Sequence, residues 1–512
     1  MAKKVAIIGA GIAGLAAGCY ARMNGFDAEI FESHTKPGGL CTAWNRKGYT
    51  FDGCLHWLTG SAPSDSFYGI WKELGALEGR TIIDHDIFCR FISNDAQVFN
   101  AYTDVDRLQA HMRQLSPADA DVIDHFCGLI RKFTRFSMRL GKAPELFNAL
   151  DIASLLVHIA PFMKDLRYCD SISVGDYAAR FRNPLLRDSI AGLLSCPDMT
   201  LTGVVMTFAL LHNRAGGFPI GGSLEFARGI EHRFLELGGS VHYLSQVLRI
   251  LTANGTATGV ALADGREVAA DYVISAGDLR TTLYGLLEGE HIDPQHKDLL
   301  ENYRLYPSMV QVSFGINMKL GHEVHPLSEA ISLATPIRIG SQTSDVLLMM
   351  DYGFDPSFAP PGKSVVTCGY VSDDYAYWDR LSEDRIAYNE EKKRIAEQSS
   401  AIIERIHPGF SAAIEVSDVV TPVTYHRYTG TWKGTFMTWL STPETATRLR
   451  TIRKTVPGLS NFYLAGMWVQ PPGGVPSGAM AARNVVQMMC RQEKKRFTVT
   501  VPQTPGVEQI SA

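Results

Sequence analysis

The 512-residue chain has no uninterrupted apolar run as long as the roughly 18–20 residues of a membrane-spanning helix. The longest candidate, Ile190 to Leu211, is broken by Cys196-Pro197-Asp198. There is no CxxC pair and no His/Cys cluster at zinc spacing, so no metal site is expected. The nine cysteines (Cys19, Cys41, Cys54, Cys89, Cys127, Cys169, Cys196, Cys368, Cys490) are odd in number and dispersed, which fits reduced thiols and a cytoplasmic location. A net charge of -4, with no basic stripe carrying interleaved aromatics, gives no reason to expect nucleic acid. No internal repeat is visible, and low complexity is absent outside the tail. With 46% hydrophobic and 20% charged residues the composition is that of a soluble globular protein. Its length exceeds what one core supports, so two domains are expected, while oligomeric state is unreadable.

What is present is concentrated at the N-terminus. Lys3-Lys4-Val5-Ala6-Ile7-Ile8 is an apolar run, followed by Gly9-Ala10-Gly11-Ile12-Ala13-Gly14 and a helical stretch to about Asn24. A second run, Ala28-Glu29-Ile30-Phe31, ends on Glu32, and Gly38-Gly39 follows. Three glycines interrupt what could pass for the apolar core of a secretory leader, so the segment reads as mature protein. Gly9 permits a tight turn, Gly11 permits approach to a pyrophosphate, and Gly14 permits close helix–sheet packing. The helix N-terminus offers free N–H groups and positive potential to that pyrophosphate. Glu32 is positioned to accept from a ribose 2′-hydroxyl and would repel a 2′-phosphate. This is a dinucleotide site. The added Glu-x5-Gly-Gly stretch resembles the extended fingerprint of FAD-binding enzymes related to glutathione reductase and amine oxidases, and favours FAD over NAD.

Further along, residues 76 to about 215 look mostly helical. A helix at Leu224 to Leu237 is followed by a strand at Val241-His242-Tyr243, then by a hairpin whose turn is Asn254-Gly255. A second turn, Asp264-Gly265, precedes one strand from Glu267 to Ile274. Residues 300 to 450 alternate strand-like runs with loops and hold one amphipathic helix near Arg385 to Ile406. Asn461 to Gly466 reads as a buried strand entering a glycine-rich loop, then a helix from about Ser477 to Arg491. The expected fold is α/β: a Rossmann-type FAD-binding domain from 1–75, 222–290 and 450–492, with an inserted α+β substrate domain from 76–221 and 291–449. Residues 493–512 are expected to form a mobile tail.

Four blocks, in order, resemble the phytoene desaturase family of flavoproteins, and more closely its branch with carotenoid isomerase and retinol saturase. They are the N-terminal fingerprint, Gly48 to Trp57 with His56, Pro219 through Asp278, and Leu464-Ala465-Gly466-Met467-Trp468-Val469-Gln470-Pro471-Pro472-Gly473-Gly474-Val475-Pro476-Ser477-Gly478. Leu40 departs from the arginine that bacterial desaturases carry after their glycine pair. The resemblance implies FAD bound by Gly9, Gly11, Gly14, Glu32, Gly38, Gly39, Val247, Gly466, Gly474, Val475 and Pro476. It also implies an extended apolar polyene or isoprenoid as substrate, undergoing saturation, desaturation or flavin-assisted cis–trans isomerisation.

His56, between Leu55 and Trp57, is a candidate proton carrier, set against the plainer reading of a satisfied core histidine. Tyr425, Arg427 and Lys433 lie in a stretch resembling a family block near the active site; the alternative there is a solvated strand and turn. Phe147 to Tyr168 has apolar residues at helical spacing interrupted by Pro161, and reads either as a peripheral membrane contact or as a helix covering the core. No second glycine fingerprint appears, so reducing equivalents are expected to enter at the flavin site itself or from a quinone. Rival functions are an amine-oxidase-like or protoporphyrinogen-oxidase-like enzyme, and a non-catalytic prenyl-lipid escort similar to GDP-dissociation inhibitors.

Overall fold

The computed structural model describes residues 2–321, 324–450, 452–502 and 508–511. The apolar run at the N-terminus forms β1 (Lys4–Ile8), the central strand of a five-stranded parallel sheet. On one side it pairs with β2 (Asp27–Phe31), which pairs with β3 (Ser240–His242). On the other it pairs with β4 (Tyr272–Ser275), which pairs with β5 (Phe462–Leu464). Three distant stretches of chain therefore build one sheet.

Between β1 and β2 runs α1 (Ile12–Met23), which packs against both α2 (Gly222–Glu236) and α3 (Gly474–Gln492). Being enclosed, α1 is buried nearly all round, and its small residues make that possible. A Cβ on Gly18 would lie 2.7 Å from the Phe234 ring of α2. Strands Val247–Ala253, Thr256–Leu262 and Glu267–Ala269 form an antiparallel meander. Asn254 (φ 50°) and Gly255 (φ 74°) turn its first hairpin, as their sequence predicts.

The single strand expected from Glu267 to Ile274 is two. Glu267–Ala269 stays in the meander, while Tyr272–Ser275 joins the main sheet. At the break, the Asp271 carboxylate accepts from the Lys4 amide (2.8 Å) and from Lys3 Nζ (3.1 Å), which pins the crossing to β1.

A seven-stranded mixed sheet stands apart from this one, ordered Ile414–Val420, Ser308–Ile316, Ser364–Ser372, Gln342–Asp351, Ser328–Ile339, Ile87–Ile92, Val98–Tyr102. Its last two strands lie in the region that reads as mostly helical. A short apolar run such as Ile87 to Ile92 has no periodicity to distinguish a buried strand from a helix. Long helix Arg385–Glu404 covers this sheet. Pro161 separates helix Ala149–Ile159 from Met163–Asp170, and Cys196-Pro197-Asp198 lies between Pro184–Gly192 and Leu201–His212.

The segment after Arg491, expected to be mobile, packs on the flavin-type domain as far as it is described. The Phe497 ring sits 5.9 Å from that of Tyr20, and the Thr498 amide donates to Asn24 Oδ1 at 2.8 Å. Strand Glu508–Ser511 runs parallel to Thr81–Asp84; residues 503–507 lie outside the described set.

Candidate active site

The site begins where β1 ends. Gly9 (φ 93°) donates its amide to the Phe31 carbonyl at 2.8 Å, and Gly11 caps α1. A Cβ on Gly14 would lie 1.9 Å from the Gly9 carbonyl oxygen, so only glycine lets the helix start this close to the turn. The first turn of α1 has no acidic residue and no side-chain cap, leaving its N–H groups available to an anion. The second glycine loop closes on the first: the Gly38 amide donates to Ala10 O at 2.9 Å, and a Cβ on Gly39 would lie 3.3 Å from the Gly11 Cα. This cradle suits a pyrophosphate, which needs backbone on two sides and no side chains between.

Glu32 is buried, and its carboxylate accepts from the Ala10 amide (2.7 Å), the His34 amide (2.8 Å) and the Ser33 hydroxyl (3.3 Å). Those bonds leave lone pairs for ribose hydroxyls and fix the carboxylate against the glycine turn. The Ser245 amide donates to the Glu32 carbonyl at 2.8 Å, and this brings buried Val247 to the same end of the sheet.

A second helix start converges here. Gly473 (φ 100°) caps α3, whose first turn is Gly474, Val475 and Pro476 with no acid and no side-chain cap. Cβ atoms placed on Gly466 and Gly478 would each lie 3.6 Å from the Ala13 side chain, which puts the start of α3 against the start of α1. Two uncapped helix N-termini favour negative charge at two points, one for a phosphate and one for charge developing on a reduced ring. The residues fit FAD.

Beyond the glycine loops, strands Ala43–Arg46 and Tyr49–Asp52 form a hairpin that leads into the His56 segment. Asp52 anchors that segment at the first turn of α2. Its carboxylate accepts from the Ser223 amide (2.7 Å), the Ser223 hydroxyl (2.6 Å) and the Cys54 amide (2.9 Å). Burial pushes its carboxyl up to about 6, against the lowering effect of those bonds. The His56 ring retains some open surface, yet protein surrounds it closely enough that desolvation pushes its imidazole down to about 4. The ring is therefore neutral at pH 7.

Tyr425, Arg427 and Lys433 are not brought together. Their stretch forms a helix, Pro422–Thr429, with Thr421 and Thr424 bonded at its start and Gly430 (φ 68°) at its end. Tyr425 faces inward: its hydroxyl donates to Gln311 Oε1 at 3.3 Å, and burial raises its phenol well above the usual range. Gln311 Nε2 donates to the Asp52 carbonyl at 2.7 Å, so Tyr425 is tied to the segment carrying His56. His426, Arg427 and Tyr428 are exposed. Lys433 is exposed too, with Nζ 5.2 Å from the centre of the Trp432 ring. Sequence reasoning passed over Asp52, Ser223 and Gln311 as functional residues. The one available signal was Gln311 itself, a polar residue inside the apolar strand Ser308–Ile316.

The sequence model of the flavin containing amine oxidoreductases matches residues 12–490, from the start of α1 through the Gly38-Gly39 loop and nearly all of α3. The chain belongs to that family. It is a flavoenzyme, an oxidoreductase with FAD as its cofactor. It is 26% identical over 509 residues to a phytoene desaturase (lycopene-forming) of Paracoccus sp. (strain N81106 / MBIC 01143), covering 95% of this chain and 97% of that one. It is 24% identical over 447 residues to prolycopene isomerase 2, chloroplastic, of an Oncidium hybrid cultivar, covering 84% of this chain and 74% of that one. Among solved structures, a putrescine oxidase mutant superposes with a TM-score of 0.63 at 14% identity, over 96% of this chain and 99% of that one. An oxidoreductase from Methanosarcina mazei gives 0.59 at 17%, over 94% and 100%. These two likenesses speak to the fold.

Proposed function

We propose that this flavoenzyme acts on carbon–carbon bonds of an extended apolar polyene, by saturation, desaturation or redox-neutral cis–trans isomerisation. The observation that carries this reading is the neutrality of the two inward candidates. His56 is uncharged at pH 7, Tyr425 keeps its proton, and Arg427 and Lys433 point away. Two uncharged side chains suit a hydrocarbon, whereas neither would pair the charge of an alkylammonium. The near full-length likeness to a phytoene desaturase and a prolycopene isomerase supports the same substrate class.

When bound, FAD supplies a two-electron acceptor or donor able to exchange hydride with carbon. The chain's own residues divide the rest. Tyr425, a weak acid held by Gln311, gives a proton to carbon in the reducing direction. His56, kept neutral, takes one in the oxidising direction. The glycine cradle and the two helix starts bind and orient the cofactor. In this reading the stretches 1–75, 222–290 and 450–492 serve FAD, and 76–221 with 291–449 serve the substrate.

Peripheral membrane contact belongs to the same proposal. Helix Ala149–Ile159 has no buried residue; Leu150 is 80% exposed, Val157 76% and Leu156 55%. Its inner face (Asp151, Leu155, His158, Ile159) is only half-buried, and the rest of the helix is exposed. Its apolar side chains suit entry into the boundary region of a bilayer, where a polyene is stored. Among the described residues, no helix is long and apolar enough to cross a membrane.

The test is the mass of the product after anaerobic incubation of flavin-loaded, pre-reduced protein with a panel of carotenoids and retinoids. A gain of two hydrogens assigns saturation, and an unchanged mass with altered chromatographic position assigns isomerisation. A loss of two hydrogens, with oxidised enzyme and an added quinone, assigns desaturation. No reaction with any polyene, together with turnover of an amine, overturns the proposal.

A further inference from the structure

The hairpin that carries Asp52 has cysteines at both of its open ends. Its last ladder pair is Ala43 with Asp52, and the pairing continues by one step, because the Gly53 amide donates to the Thr42 carbonyl at 3.0 Å. The next opposed residues are Cys41 and Cys54. The Thr42 amide turns back to the Leu40 carbonyl (2.9 Å), so the ladder ends at this step; in regular geometry the next step would be the closer, non-bonded kind, with Cα atoms about 4.5 Å apart. That separation lies inside the range a disulfide requires. The two side chains are within hydrogen-bonding reach of each other, and the Cys41 thiol also lies 3.4 Å from the Ser223 carbonyl, as its donor.

The pair also stands out by access. All nine cysteines lie among the described residues; eight are buried and Cys54 is half-buried. A half-buried thiol with a fully buried one opposite it is the arrangement of an attacking and a resolving cysteine.

We propose that Cys41 and Cys54 are a redox modification site, forming a reversible disulfide across the open end of this hairpin. The oxidant is a low-molecular-weight disulfide. The Cys54 sulfur attacks one of its sulfurs, a Cys54–S–S–R bond forms, and one thiol RSH leaves with the Cys54 proton. The Cys41 sulfur then attacks Cys54 Sγ, the protein disulfide forms, and the second RSH leaves with the Cys41 proton. The protein loses two electrons and two protons, and the small disulfide gains both. The hydrogen bond with Cys54 and, after it, burial raise the Cys41 thiol well above its usual range, which fits its role as the second reactant. In the oxidised form the Gly38-Gly39 loop, which leads into Cys41, is bonded to the segment carrying His56. The inference rests on the hairpin geometry and does not depend on which substrate the enzyme takes.

The experiment equilibrates flavin-loaded full-length protein with glutathione buffers of rising oxidised fraction, traps free thiols with an alkylating agent, and maps the peptides by mass. The expected result is a linked 41–54 peptide that rises in a single two-electron transition and disappears on adding dithiothreitol. Cys41→Ser should leave Cys54 as a stable mixed disulfide with glutathione, and Cys54→Ser should abolish labelling of Cys41. The wild-type map decides the matter even where a variant fails to fold. Both thiols alkylated across the whole range, or Cys54 carrying glutathione in the wild type with no linked peptide, would overturn the proposal.

Discussion

Asp52 is bonded twice to Ser223, through the amide at 2.7 Å and the hydroxyl at 2.6 Å, where α2 begins. The pair ties the His56 segment to the flavin-type domain, and the burial of Asp52 makes stability depend on pH in a defined direction. The folded-state carboxyl stands at about 6 against an ordinary 3.8, so folding favours its protonated form. The stability this group contributes is full below about pH 4 and is lost as pH rises through about 6. A shift of two units corresponds to about 3 kcal/mol. Asp52→Asn removes this dependence and also turns an amide donor toward the N–H of Ser223 or Cys54, costing about 1–3 kcal/mol. Thermal midpoints of wild type and variant from pH 4 to 7 should differ by a pH-dependent amount. Parallel curves would refute the account.

Gly14→Ala places a methyl group 1.9 Å from the Gly9 carbonyl oxygen, which is backbone and has no room to retreat. The variant should lose more than about 4 kcal/mol and bind no FAD. The ratio of 450-nm absorbance to protein gives the answer directly; a normal ratio would count against the cradle.

His56 should leave no step near pH 6.5 in the rate profile of the flavin half-reaction, because desolvation holds it neutral down to about pH 4. Its folded-state value lies below its unfolded one. The stability tied to the neutral ring is therefore present above about 6.5 and lost as pH falls toward 4. His56→Gln should slow proton transfer in the oxidising direction roughly a hundredfold or more. Its unfolding should also be less acid-sensitive than that of the wild type. Stopped-flow flavin reduction from pH 5 to 9 measures the first effect and acid titration of circular dichroism the second.

Tyr425→Phe removes the bond to Gln311 and should cost about 1 kcal/mol of stability together with the proton supply in the reducing direction. Arg427→Ala and Lys433→Ala, both at exposed positions, should stay within about 0.5 kcal/mol of wild type. Their kcat should also be unchanged. Equal losses across all three variants would mean that the outward pair has a role the geometry does not provide.

Leu150→Glu with Val157→Glu should abolish sedimentation with phosphatidylcholine–phosphatidylglycerol vesicles while moving the thermal midpoint little. Residues this exposed contribute within about 0.5 kcal/mol. Activity on detergent-dispersed polyene should survive, and activity on vesicle-borne polyene should fall. Unchanged sedimentation removes helix Ala149–Ile159 from the membrane proposal.

The flavin cradle was legible in the sequence because its logic is local. Gly9, Gly11, Gly14 and Glu32 sit within one strand–helix–strand unit, and the Asn254-Gly255 turn carries its own signal. The other half of the site was not, because it depends on long-range meetings. Tyr425, Gln311 and Asp52 are separated by most of the chain and become neighbours only through the seven-stranded sheet. Helix phase decided the rest: within Pro422–Thr429, Pro422, Val423 and Tyr425 face the interior and residues 426–428 face solvent. A strand-and-turn reading of that stretch had no means of separating Tyr425 from Arg427. His56 was visible as a position, but its neutrality comes from what surrounds it, and no flanking residue announces that.

Because β1 lies between β2 and β4, with β5 beyond β4, the sheet is built outward from the strand made first. The strand made first waits for a neighbour more than two hundred residues later, and the helix start that faces the flavin ring emerges after nearly all the rest. Such a sheet has high contact order, so the nascent chain carries an apolar, half-paired strand until β4 is made. The cradle therefore has both of its helix starts only once the chain has been made as far as α3.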